Sequence, residues 1–427
     1  MNKSQTGSSI KTNFWPAVAA LSGVPLIMVL GNSMLIPLLP DIRNALELTP
    51  VKTSMLITLF SIPAGLTIPL AGFLSDRFGR KTVIIPSLII YGFGGVIAAI
   101  GSVFLKNIAY QVILSGRVIQ GIGAAGTAPI AMALCSDLFK DVKRSRSLGA
   151  IESSNGLGKV ISPILGSALG LIAWYAVFIF FPLIVIPVVV ALWMMVKEPE
   201  TDRSKQKMLQ YIETFSISFK KNSGLLLSSY FSGAVVLMVL FGVLFYLSEY
   251  LEQHFGLDGI RKGLVLAIPV LFMSSASFVT GFIIKKKRFL MKCLVIAGLS
   301  LMTTSLVFLP FTGSVLIYFT AISLLGIGTG CVLPCLNTLI TSAASIQERG
   351  LVTSLYGSVR FFGVAFGPPI YGFLMAKGTG IMFLSSAVLT LSGAILVLAF
   401  ARLHNPAVKP PATFTFMPVP AKKPDKK

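Results

Sequence analysis

The sequence predicts an all-α membrane protein, with twelve transmembrane helices in two pseudo-symmetric halves of six. Three observations predict it. Only 12% of the 427 residues are charged and 54% are hydrophobic, whereas a soluble domain carries about 25% charge. That much apolar surface cannot be hidden in one water-soluble core, so lipid has to solvate it. Uncharged runs of about 20 residues, enough to cross roughly 30 Å of hydrocarbon, recur along the chain. The two halves of the chain also match each other at one fixed offset.

The runs place spans near 14–38, 51–74, 82–104, 108–135, 148–170 and 174–196, then near 223–250, 262–284, 292–309, 314–342, 351–376 and 379–401. Gly170 to Trp174 and Pro310 to Ser314 are the turns inside the two longest uncharged stretches. The predicted organisation is an N-terminal segment 1–13, a six-helix half 14–196, a polar linker 197–222, a second half 223–401 and a tail 402–427. The tail is rich in Pro and Lys, a composition that favours disorder. The apolar run after residue 13 is too long for a cleaved signal peptide, so the first helix is expected to stay.

The net charge is +21. With the N-terminus placed in the cytoplasm, 27 of the 36 Lys and Arg fall on the inner side and six in outer loops. The remaining three, Arg117, Lys159 and Arg360, lie inside spans. This bias puts both termini inside and explains the basicity as topology, with no nucleic-acid partner. Lys285-Lys286-Lys287-Arg288 reads as an ordinary inner loop. The four cysteines lie in apolar segments without a CxxC pair, and there is no HExxH, so no metal is expected. No G-x-x-x-x-G-K-[ST] pattern is present, which argues against ATP as the energy source and leaves an ion gradient or simple facilitation.

The repeat has an offset of 205 residues. Gly121-Ile122-Gly123 meets Gly326-Ile327-Gly328, Pro129 meets Pro334, and Arg144 meets Arg349. Gly158 meets Gly363, Pro163 meets Pro368, and Arg80-Lys81 meets Lys285-Lys286. A parallel repeat of six spans places the binding site where the halves meet.

Gly72-Phe73-Leu74-Ser75-Asp76-Arg77-Phe78-Gly79-Arg80-Lys81 joins spans two and three. It closely resembles the loop signature G-x-L-x-D-R-x-G-R-K of the major facilitator superfamily. Its glycines allow a tight turn and close helix approach. Asp76 can accept hydrogen bonds from an arginine or a helix N-terminus, a contact that could shut one side and break when the halves rock. The gating residues are therefore Gly72, Asp76, Arg77, Gly79, Arg80 and Lys81. The matching stretch 277–286 keeps the bases and lacks the Asp-Arg pair.

Ser115 to Gly123 resembles the family's fourth-helix motif R-x-x-Q-G-x-G, with Arg117 roughly 13 Å deep. An ionised residue at that depth is a functional candidate. Residues 152–166 resemble the antiporter motif G-x-x-x-G-P-x-x-G-G, carried by Gly158, Pro163 and Gly166. Ser162 replaces the glycine before the proline, and the eleventh span repeats the pattern around Gly363, Gly367 and Pro368. The resemblance covers about 14–402 and points to the twelve-helix drug:proton antiporter branch. It implies a monomeric transporter of the bacterial inner membrane, exchanging protons for small lipophilic compounds.

Glu152 is the one carboxylate read as well inside a span, and a carrier must exchange a proton with both sides, so Glu152 is the first proton-coupling candidate. Arg117 and Glu249 complete that set. Asn32, Asn155, Lys159 and Arg360 are the substrate-binding candidates. Asp41 resembles the first-helix ending of the drug exporters and is read as a cap or outer-gate residue, and Asp137 as the inner end of span four. Three positive charges at mid-depth against one carboxylate also suit an anionic metabolite or a lipid-linked sugar. A non-transporting membrane sensor is the third reading.

Overall fold

The computed structural model describes residues 13–198, 222–284, 287–311, 314–343 and 349–401. The expectations for 1–12, most of the linker, Lys285-Lys286 and the tail from 402 lie outside the described residues.

Long helices follow one another in chain order, and no strand occurs among the described residues. The first span is Phe14–Ser33, continued by the short turns Ile36–Leu38 and Leu39–Ala45. Pro37 and Pro40 sit in the first turns of those pieces, where a missing N–H costs nothing. The second span, Pro50–Phe78, begins at Thr49, whose hydroxyl accepts from the Lys52 amide at 3.3 Å. The third is Arg80–Phe104. The fourth is Ala109–Ala125 and Ala128–Leu138, interrupted just before Pro129. The fifth and sixth are Asp141–Gly170 and Ala176–Met195. The second half repeats the set as Ser223–Phe255, Gly259–Ile283, Arg288–Phe308, Val315–Ala343, Arg349–Met375 and Thr379–Phe400.

Ten of these spans are apolar enough to cross a membrane by composition alone. The fifth and eleventh are long enough, at 30 and 27 residues, but more polar. Both pack against the other half, so their polar faces meet protein rather than lipid. Predicted and observed ends differ where polar residues continue a helix. Span five starts at Asp141 instead of 148, and span seven runs to Phe255 instead of 250. Hydropathy marks the hydrocarbon, and the backbone ladder continues past it.

The repeat seen in sequence marks points of close helix approach. A Cβ on Gly121 would collide with the Phe60 carbonyl, and one on Gly326 with the Pro269 carbonyl. In each half this presses the fourth helix against the second, at the same glycine of the repeat and within about one turn of the same place on the second helix. Small residues are what permit such contacts.

The halves touch along two seams. Span two lies on span eleven: Thr58 donates to the Ala365 carbonyl at 2.7 Å, and a Cβ on Gly72 would sit 3.1 Å from the Ser354 hydroxyl. Span five lies on span eight: a Cβ on Gly263 would sit 2.6 Å from the Pro163 carbonyl, and Ser274 donates to the Gly156 carbonyl at 3.4 Å. Phe14 and Phe139 pack edge to face, and Gly224 sits against the Phe400 carbonyl, so span one starts and span twelve ends on one side, called here the terminal end. At the opposite end the halves are also pinned by Arg43–Glu249 and by Ser248 donating to the Ile36 carbonyl at 2.9 Å. Toward the terminal end, Glu152, Ser153 and Leu157 of span five are exposed, and Gly149 and Gly156 have open space around them.

Candidate transport pathway and gating loop

The loop between spans two and three turns at Gly79, whose φ of +110° disfavours any residue with a Cβ. This sharp turn brings Arg80 back over the end of span two. Its guanidinium pairs with Asp76 at 2.8 Å and with Asp137 of span four at 2.8 Å, and it donates to the Ser75 hydroxyl at 3.2 Å. Glu198, just past span six, accepts from the backbone amides of Arg80 and Lys81, which open span three. A carboxylate is favoured at that position by the unpaired amides and the helix dipole. Lys81 answers by donating to the Trp193 and Val196 carbonyls at 2.9 and 2.6 Å, at the close of span six. The loop therefore ties spans two, three, four and six at the terminal end. Arg77 stands apart, over the Phe78 ring. Gly72 faces span eleven of the other half. Sequence reasoning found this loop and Asp137. It missed Glu198, although an acid two residues after the last apolar residue of span six, Val196, was a usable signal.

Arg117 is completely buried. It donates to the Leu56 carbonyl at 2.9 Å, to Gln120 at 2.8 Å and to Asn32 at 2.9 Å, and lies 4.4 Å above the Phe60 ring. Asn32 in turn donates to Ser61 at 2.9 Å. This network joins spans one, two and four with neutral acceptors, and Arg117 forms no ion pair among the described residues. Asn32, read from sequence as a substrate ligand, has its amide engaged by Arg117 and Ser61 inside the first half.

Two other candidates, Lys159 and Arg360, one from each half, lie within electrostatic reach of each other, with Asn155 on the same helix as Lys159. Asn155 and Lys159 share a face of span five, one turn apart, and Arg360 lies on span eleven. Asn155 and Arg360 are equivalent under the 205-residue offset. Lys159 and Arg360 are half-buried and within electrostatic reach of each other, with Glu152 the acid within reach of Lys159. Arg360 lies over the Tyr356 ring at 5.4 Å, and Tyr356 stacks on Tyr230 of span seven at 6.0 Å. The Arg360 Nε, the Tyr356 hydroxyl and the Asn155 Oδ1 are buried without a hydrogen-bond partner among the described residues. Tyr356 was not anticipated, because a tyrosine in an apolar run reads as core.

The two carboxylate candidates are far apart in role. Glu152 was expected to be buried. It is exposed, because this stretch of span five is left uncovered at the terminal end. Glu249 is 5% exposed and pairs with Arg43, with Gln253 donating to it at 2.8 Å. Asp41 lies nearby, within reach of Lys262 and Glu252, which pair with each other at 2.7 Å. Gly158 and Gly166 of the antiporter stretch pack on Leu26 and on the Met34 carbonyl of span one, and Pro163 offers its carbonyl to span eight.

The profile of the Major Facilitator Superfamily matches residues 21–368 and again 292–423. The bacillibactin exporter of Bacillus subtilis (strain 168) is 44% identical over 383 residues, covering 89% of this chain and 95% of that protein. The multidrug efflux protein YfmO of Bacillus subtilis (strain 168) is 25% identical over 404 residues, covering 92% and 95%. A bacterial homolog of the human lysosomal transporter Spinster, crystallised inward-facing and occupied, superposes with a TM-score of 0.71 at 17% identity, covering 90% and 96%. A matching repeat in two six-helix halves, the loop signature between spans two and three and these likenesses agree, and the chain belongs to the Major Facilitator Superfamily, a transporter of the membrane and not an enzyme.

Proposed function

We propose that the chain exports bacillibactin or a closely related compound from the cytoplasm by alternating access, using the proton gradient. The observation that carries this reading is the 44% identity to the Bacillus subtilis bacillibactin exporter across 95% of its length. The geometry supports it. A polar interface between the halves lies above an uncovered stretch of span five at the terminal end, while the other end is pinned shut. With the basic segments inside, the terminal end faces the cytoplasm and the protein sits in the plasma membrane of a bacterium. Glu152, within reach of Lys159, is the proton carrier in this reading. The lipid bilayer, protons and the cargo are its partners, and it acts as a monomer.

Everted membrane vesicles containing the protein test this directly. They should accumulate bacillibactin when the pH gradient stands and lose it when the gradient is collapsed. Vesicles that take up none, compared with protein-free vesicles, overturn the reading. A second reading, export of lipophilic drugs, is favoured by the likeness to a multidrug efflux protein. Ethidium uptake by the same vesicles decides for it if bacillibactin is ignored.

A further inference from the structure

We propose that an anionic group of the cargo, a carboxylate, phosphate or similar oxyanion, is held between Lys159 and Arg360. This rests on the reading above that the interface of the halves receives the cargo.

The two cations come from different halves, Lys159 from span five and Arg360 from span eleven, and lie within electrostatic reach of each other. Like charges brought together away from bulk water repel. Neither is in an ion pair among the described residues. The buried Arg117 is also unpaired, but its guanidinium is satisfied by three neutral acceptors, whereas the Arg360 Nε has none. Glu152 is one carboxylate for two cations, so the trio keeps a net positive charge. The Nε of Arg360 is buried with nothing to donate to, and the Tyr356 hydroxyl beside it is likewise unpartnered. Buried donors without acceptors are costly, and a ligand oxygen would satisfy both. A guanidinium presents its N–H groups as a planar fork that fits a carboxylate or phosphate with two parallel bonds, and an ammonium adds a point charge. The fork is also held in place, because Arg360 lies on the Tyr356 ring and that ring stacks on Tyr230.

The same arrangement disfavours a lipophilic cation, which would meet two like charges before reaching Glu152. It also gives the anion a mechanical part. An oxyanion shared by Lys159 and Arg360 turns repulsion between the halves into a bridge across them. Binding would then stabilise a state in which the two side chains are drawn together. Asn155 occupies in the first half the place that Arg360 holds in the second, and its unpartnered Oδ1 is an acceptor. The pocket is therefore electrically lopsided, with the fork on one side only, so an anionic cargo enters in one orientation.

Binding of carboxyfluorescein, an anion, and of ethidium, a cation, to the purified full-length protein in nanodiscs tests the proposal by fluorescence titration. Wild type should prefer the anion, and an increase in salt should weaken that binding. Lys159→Gln and Arg360→Gln should each weaken anion binding by at least about tenfold. Lys159→Arg keeps the charge and should restore most of it, and Arg360→Lys, which keeps the charge but loses the fork, should restore part of it, which separates a lost ligand from a damaged fold. A monodisperse gel-filtration peak is required of every variant scored. Wild type that prefers ethidium or binds neither dye, or Gln variants that bind carboxyfluorescein as wild type does, overturns the proposal. Bacillibactin uptake in vesicles is read independently. If it persists while the dye binding ignores both cations, the anion site fails and the export reading stands. If it is absent while dye binding follows the charges, the export reading fails and the anion site stands.

Discussion

Asp76 shares Arg80 with Asp137, and that sharing sets what its loss does. Asp76→Asn keeps the shape but removes one of the two carboxylates facing a half-buried guanidinium. Transport should fall by roughly tenfold, equivalent to about 1.4 kcal/mol, with expression near normal, and Asp76→Glu should be milder. Unchanged export in vesicles from Asp76→Asn cells would leave the loop as a topology signal alone. Glu152 belongs to a different question. Glu152→Gln mimics the protonated carboxyl, so it should abolish uphill, gradient-driven accumulation while allowing downhill exchange of labelled substrate. Continued accumulation against a gradient moves the carrier to Glu249. At this scale the residue types were legible and their partners were not. The depth of Arg117 could be read from its place in an apolar run. Its acceptors at Leu56 and Asn32 are 61 and 85 residues away, and no local pattern announces a contact of that range. Glu152 shows the reverse case: its place within a span was read as burial, but burial depends on which neighbouring helices cover it.

The helices carry the clearest record of the sequence. The fixed offset predicted two equivalent halves, and the equivalence returns as paired collisions waiting at Gly121 and Gly326. Gly121→Ala should push span four off span two, because backbone rather than a flexible side chain stands in the way. The expected outcome is a large loss of folded, monodisperse protein on gel filtration, and Gly326→Ala should reproduce it in the second half. Gly149→Ala, with open space around it, should leave the profile unchanged. A Gly121→Ala protein that purifies and melts like wild type would show that the helices can shift at little cost. Other features of the helices escaped the sequence reading for one physical reason. Apolar runs report lipid contact, whereas helix ends and breaks are set by backbone hydrogen bonds. The extra helical turns at Leu39–Ala45, the break before Pro129 and the early start at Asp141 all lie where polar residues or prolines obscure the run.

For the molecule as a whole, closure at the end opposite the termini depends on few polar contacts. Arg43→Gln leaves Glu249 without its cation, so the ends of spans one and seven far from the terminal end should part more often. In that background a cysteine at position 248, a site fully buried in the parent, should react faster with a membrane-impermeant maleimide added to intact cells. Equal labelling rates in parent and variant would mean that apolar packing alone holds the end shut. Orientation is checked the same way: cysteines at 107 and 256 should be reachable from outside, and one at 204 should not. Labelling at 204 in intact cells would invert the topology. Spans two and eleven, meanwhile, remain in contact from Thr58–Ala365 down to Gly72–Ser354, a line of touch that runs most of the way across the bilayer. A wall so continuous leaves no side door between those helices. A molecule dissolved in the lipid finds no opening between these two helices along that line.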